Sequence, residues 1–115
     1  MINRIFKNVC VTGAGSGIGK AIAIAMSNQG YNVTCADINL KQANETLEII
    51  LNSKGSGISI ETDVTKINDI ENMILKTVKQ FGTIDILVNN AGVTRTSNIM
   101  DLTEKDWDWI HNVNA

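Results

Sequence analysis

The chain has 115 residues, of which 43% are hydrophobic and 19% charged, and it carries a net charge of −2. This composition describes one globular domain with a real core, not a disordered chain, and its charge offers nothing to attract nucleic acid or an anionic membrane. No apolar run reaches the ~18 residues a membrane span needs, and charges interrupt the N-terminal Met-Ile-Asn-Arg-Ile-Phe-Lys where a signal peptide would be apolar, so the expected location is the cytoplasm.

Val9 to Gly19 reads Val-Cys-Val-Thr-Gly-Ala-Gly-Ser-Gly-Ile-Gly. Three apolar residues run into Thr12 and Gly13, the pattern of a buried strand ending in a turn that needs glycine. From Ile18 the spacing turns helical, with Ile18, Ala21, Ile22, Ala25 and Met26 on one expected apolar face. A glycine loop that opens a helix exposes unpaired N–H groups and the positive end of the helix dipole, which suits a pyrophosphate. Gly19-Lys20 is not the end of a P-loop, because Ala14 stands where its first glycine belongs and Ala21 replaces the Ser or Thr. A register starting at Gly13 also misses the common dinucleotide fingerprint, since Ile18 occupies the place of its third glycine. What remains is Thr12-Gly13-x-x-x-Gly17-x-Gly19.

The first helix should end near Gly30, and Tyr31 to Asp37 reads as a second strand closing on an acid. Asp37 lies about twenty residues past the loop, where a dinucleotide fold places a carboxylate to accept hydrogen bonds from the adenosine ribose. Its charge would repel a 2′-phosphate, and neither Ser16 nor Ile38 is basic, so NAD is expected over NADP. Leu40, Ala43, Leu47, Ile50 and Leu51 form a second helical face stopped by Ser53-Lys-Gly-Ser-Gly57. Ile58 to Asp63 alternates as a third strand suited to a sheet edge, with Asp63-Val64 at its carboxyl end. Ile67, Ile70, Ile74, Val78 and Phe81 continue the helical rhythm up to Gly82, and Asp85 to Gly92 supplies a fourth strand that runs into a small-residue turn. Alternation of this kind implies a parallel sheet with right-handed crossovers in the order 3-2-1-4. Asn90-Ala91-Gly92 would then emerge beside the glycine loop, with room for a cofactor ring over Ala91 and Gly92 and an amide at Asn90 that both donates and accepts.

Val93 to Leu102 reads as a polar loop, and Thr103-Glu-Lys-Asp106 as a capping box ahead of a helix with Trp107, Ile110 and Val113 or Asn114 on one face. His111 is expected to be solvated. Cys10 and Cys35 fall inside strands with no metal-ligand spacing, so buried free thiols are expected and no metal.

The glycine loop together with Asn89-Asn90-Ala91-Gly92 resembles the short-chain dehydrogenase/reductase family, classical type. The resemblance implies an α/β, Rossmann-like doubly wound parallel sheet truncated after the fourth strand and the following helix. It further implies a cofactor site built from Gly13, Ser16, Gly17, Ile18, Gly19, Asp37, Asn90, Ala91 and Gly92, with Asp63-Val64 against the adenine. Val113-Asn114 matches the pair whose Asn holds a water in the family's proton relay, which makes Asn114 the catalytic candidate. Family members continue into a strand bearing a serine and a helix bearing a tyrosine followed four residues later by a lysine. Here the single tyrosine, Tyr31, is followed at that spacing by Cys35.

The expectation is therefore that residues 1–115 are the NAD-binding N-terminal half of an oxidoreductase that interconverts an alcohol and a carbonyl, its partners NAD and a small hydroxy or carbonyl compound. Lacking that tyrosine and lysine, the chain alone is expected to be inactive, and its uncovered fourth strand could drive self-association. The alternative is a non-catalytic dinucleotide-binding module that works with a partner chain.

Overall fold

Each face of the central strands meets a different helical layer, and their alternating apolar side chains follow from that. The computed structural model describes residues 7–90. In chain order these form β1 (Asn8–Thr12), α1 (Gly17–Asn28), β2 (Asn32–Asp37), α2 (Leu40–Asn52), β3 (Ser56–Glu61), α3 (Ile67–Phe81) and β4 (Ile86–Val88). The sheet order is β3-β2-β1-β4, all pairs parallel, with Val9 opposite Val33 on one side and Ile86 on the other. This is the expected doubly wound topology.

On one face Val9 and Val11 of β1 and Val33 and Cys35 of β2 pack with Ala23 of α1 and with Ala43 and Ile50 of α2. On the other, Cys10 and Ala36 pack with Ile70, Met73 and Ile74 of α3 and with Ile84. Burial on both faces explains why β1 has no exposed residue. It also separates the two cysteines, which lie on opposite faces of the sheet and are both free. Desolvation pushes their thiols up from the ordinary 9.0, to about 11 for Cys10 and about 12 for Cys35.

Several boundaries and faces differ from the periodicity. β3 begins at Ser56, two residues before Ile58, and stops at Glu61; it does form a sheet edge. β4 is confined to Ile86–Val88, so Asn89 and Asn90 leave the strand earlier than Asp85 to Gly92 suggested. The buried face of α1 is Gly19, Ala23 and Ser27, whereas Ala21 and Ala25 are exposed and Ile18 is 71% exposed. The cause is the docking of Gly19 on the preceding loop, described below, which sets the rotation of the helix. On α2 the interior is Ala43, Thr46 and Ile50, with Leu40 and Leu51 largely outside. On α3, Met73 and Thr77 share the interior with Ile70 and Ile74.

The buried threonines are paired. Thr77 donates its hydroxyl hydrogen to the Met73 carbonyl at 2.8 Å. Its oxygen lies 2.9 Å from the Thr34 hydroxyl and 3.2 Å from Cys10 Sγ. Because Thr77 has spent its hydrogen, Thr34 and Cys10 both donate to it. At the amino edge of the sheet, the Asp85 carboxylate accepts from the backbone amides of Lys7 and Asn8, and the Asn8 side chain reaches Phe81, Thr83 and Asn32. These bonds hold the start of β4 against β1 despite its short length.

Two outcomes follow from this packing. Thr77→Val keeps the shape but strands the Thr34 and Cys10 donors, and should lower stability by ~1–3 kcal/mol in urea titration; a loss below ~0.5 kcal/mol would show that the network contributes nothing. Since the folded thiol pKa values are raised, their contribution to stability is complete below pH 9 and is lost as pH rises through about 11 and 12. Unfolding free energy should therefore decline over that alkaline range, and a disulfide reagent at pH 8 should modify both thiols only after denaturation.

Candidate functional site

The carboxyl ends of all four strands meet at one edge of the sheet, and the candidate residues gather there. β1 ends at Thr12, and the chain turns through Gly13 at φ 66° into the loop. The Thr12 hydroxyl accepts from the Asn90 amide at 2.8 Å and lies 3.3 Å from the Val88 carbonyl oxygen, to which it donates. One side chain thus ties the end of β1 to the turn after β4.

Gly19 lies in the first turn of α1 and is fully packed. A Cβ there would stand 2.0 Å from the Gly13 carbonyl oxygen and 2.6 Å from Asn90 Nδ2. No side chain fits between helix, loop and Asn90, and Gly13, Gly19 and Asn90 are brought together as the sequence suggested. Gly17 is different. Its φ of 56° favours glycine, while the space around its missing Cβ is open. Ser16 occupies the N-cap in extended conformation without a side-chain capping bond, so the orphan donors of the first turn are left to another acceptor. The open space over Gly17 and the uncapped turn fit an anionic group, and Ser16 and Ile18 flank it as exposed side chains.

Asp37 ends β2 next to this loop. One carboxylate oxygen accepts from the Gly15 amide at 2.8 Å and the other from the Asn39 amide at 2.9 Å. The helix cap that follows is Asn39, whose side chain accepts from the Gln42 amide at 3.1 Å. A carboxylate has about four acceptor positions, so two remain for other donors. Gly15 itself is walled in, since a Cβ there would meet Gln42 Cβ at 2.7 Å and Asp37 Oδ2 at 2.9 Å.

The Thr62 amide donates to the Asp37 carbonyl at 2.9 Å, which brings Asp63 and half-buried Val64 to the same edge. Asp63 Oδ1 accepts from both the hydroxyl and the amide of Thr65, at 2.6 and 2.9 Å, and these bonds hold the carboxyl below its ordinary pKa. Asp63 is therefore engaged in a local turn. Ala91, Gly92, Val113 and Asn114 lie outside the described residues, as do the expected loop, the capping box and His111. Among the described residues there is no group of three His, Cys, Asp or Glu side chains able to hold a metal, and no helix is long and apolar enough to cross a membrane.

Three contributors are absent from the motif reading. Gly15 fits no required position of the pattern, yet its amide anchors Asp37. Thr46 donates its hydroxyl from α2 to the Ala14 carbonyl at 2.8 Å. Gln42 closes the side of the loop. A signal for Thr46 exists in the sequence, because a hydroxyl between Ala43 and Ile50 on the buried face of a helix must find an acceptor.

Comparison with known proteins agrees with this geometry. The sequence profile described as short chain dehydrogenase matches residues 7–115. An uncharacterized oxidoreductase of Thermotoga maritima is 44% identical over 109 residues, covering 95% of this chain and 43% of its own length. A 3-oxoacyl-[acyl-carrier-protein] reductase FabG of Staphylococcus aureus is 36% identical over 112 residues, covering 96% of this chain and 46% of its own. Among solved structures, a 7α-hydroxysteroid dehydrogenase complexed with NADH and 7-oxo glycochenodeoxycholic acid superposes with a TM-score of 0.76 at 28% identity, over 98% of this chain and 50% of that one. The chain thus spans less than half the length of these curated relatives. With its four-stranded parallel sheet and its glycine loop, it belongs to the short chain dehydrogenase family.

Proposed function

We propose that residues 1–115 form the NAD-binding N-terminal part of an oxidoreductase that interconverts an alcohol and a carbonyl by hydride transfer. The observation that carries this reading is the docking of Gly19 on Gly13 and Asn90, which brings an uncapped helix start, with open space over Gly17, to the carboxyl edge of the sheet. Members of this family use nicotinamide dinucleotides, and one superposable structure contains NADH.

In this reading the diphosphate lies against the amides of Ser16 to Gly19, beside Gly13. Asp37 accepts from the adenosine ribose, and Asp63 and Val64 border the adenine. Asn90, Ala91 and Gly92 line the path toward the nicotinamide, and Asn114 holds the water of a proton relay. The bound dinucleotide supplies the hydride acceptor or donor. NAD is preferred over NADP because Asp37 would repel a 2′-phosphate and neither Ser16 in the loop nor Ile38 directly after the acid is basic; the first cation beyond it is Lys41, in the first turn of α2. The substrate is a small hydroxy or carbonyl compound.

Calorimetric titration tests the assignment. The chain should bind NAD at least about tenfold more tightly than NADP, a gap that corresponds to ~1.4 kcal/mol. Asp37→Ala should narrow that gap by weakening NAD, and Gly19→Ala should abolish binding of both while circular dichroism remains helical. Equal affinities in the unaltered chain would contradict the role given to Asp37.

A further inference from the structure

A single peptide unit in the glycine loop is gripped from two sides. Ala14 is fully buried, and its amide donates to the Ala36 carbonyl at 3.0 Å. Its carbonyl oxygen accepts the Thr46 hydroxyl from α2 at 2.8 Å. Across the same planar bond, the Gly15 N–H donates to Asp37 Oδ2 from β2 at 2.8 Å. The carbonyl and the N–H of a trans peptide point in opposite directions, so holding both fixes the rotation of the plane.

Thr46 sits mid-helix at 0% exposure and cannot touch a ligand in the open space over Gly17. A threonine in that position ordinarily bonds back to its own helix; this one spends its hydrogen on the loop. Valine would fill the same volume but leave the Ala14 carbonyl buried without its donor, a defect the loop could relieve only by turning the plane or drawing away from α2. Either movement alters the course of the chain through Ser16 into the first turn of α1.

We propose that Thr46 is a positioning residue for dinucleotide binding: its hydroxyl, acting with Asp37 across the Ala14–Gly15 peptide, sets the loop in the orientation that receives the diphosphate. The proposal rests on the nucleotide-site reading above. It assigns part of the affinity to a side chain buried beneath the loop.

Calorimetry with NAD and with ADP on the 115-residue chain, on Thr46→Val and on Thr46→Ser provides the test. It is run at a temperature where circular dichroism shows all three folded. Thr46→Val should bind both ligands about tenfold more weakly, the factor expected for one lost hydrogen bond, and Thr46→Ser should stay within about twofold of the unaltered chain. A purely structural role would lower melting temperature in both variants without making affinity follow the hydroxyl. If the unaltered chain binds and Thr46→Val binds equally, or if serine fails to rescue, the proposal is overturned and the site reading stands. If the unaltered chain binds neither ligand, the site reading falls and takes the proposal with it. Should Thr46→Val not fold, amide exchange of the unaltered chain decides: Gly15 protected as strongly as Val11 supports the clamp, and exchange at open-loop rates refutes it.

Discussion

The contact between the Gly13 carbonyl and the bare Cα of Gly19 organises the rest of the molecule. A side-chain carbon on Gly19 would stand 2.0 Å from that oxygen, far inside the closest approach of a non-bonded carbon and oxygen. Because the helix can come this close, its first turn sits directly over the end of β1, and its rotation about its own axis is settled there. The interior face of α1 becomes Gly19, Ala23 and Ser27, and Ile18 is turned outward. The sequence therefore spends an exposed isoleucine on one side of the turn to obtain the closeness on the other.

The two edges of the sheet are held in different ways. At the amino edge, Asn8 and Asp85 join β1, β2 and the approach to β4 through side-chain hydrogen bonds. At the carboxyl edge the side chains organise the loops and leave donors and acceptors in reserve. Thr12 connects β1 to Asn90, Thr46 and Asp37 hold the Ala14–Gly15 peptide, and Ser16 makes no cap. Ligands of open α/β sheets bind at the carboxyl ends of the strands, and a loop held in shape before binding lowers the cost of ordering it.

Much of this was legible because two periodicities and a glycine spacing agree with one another. The order of elements, the parallel sheet, the edge position of β3, the burial of Cys10 and Cys35 and the meeting of Gly13, Gly19 and Asn90 all follow from patterns one can read along the chain. The misreadings share a cause. Ala21 and Ala25 look interior by hydropathy, yet the loop docking of α1 turns them outward, and on α2 Leu40 and Leu51 flank an interior made of Ala43, Thr46 and Ile50. Thr46 and Thr77 belong to neither apolar face read from the sequence, yet each sits in the core with a specific partner. Hydropathy periodicity records apolar surface and is blind to a buried hydroxyl whose acceptor lies far off in the chain. The acid at Asp37 was found by its position, whereas its bond to Gly15 depends on a loop path that no linear spacing reveals.

The account turns on where a dinucleotide rests, and a map of backbone amide resonances in the labelled chain on adding NAD tests that most directly. The largest shifts should fall on Gly13 to Gly19, Asp37 and Asn90, with the amino edge around Asn8 and Asp85 unmoved. Shifts centred on that amino edge, or none at saturating NAD, would contradict it.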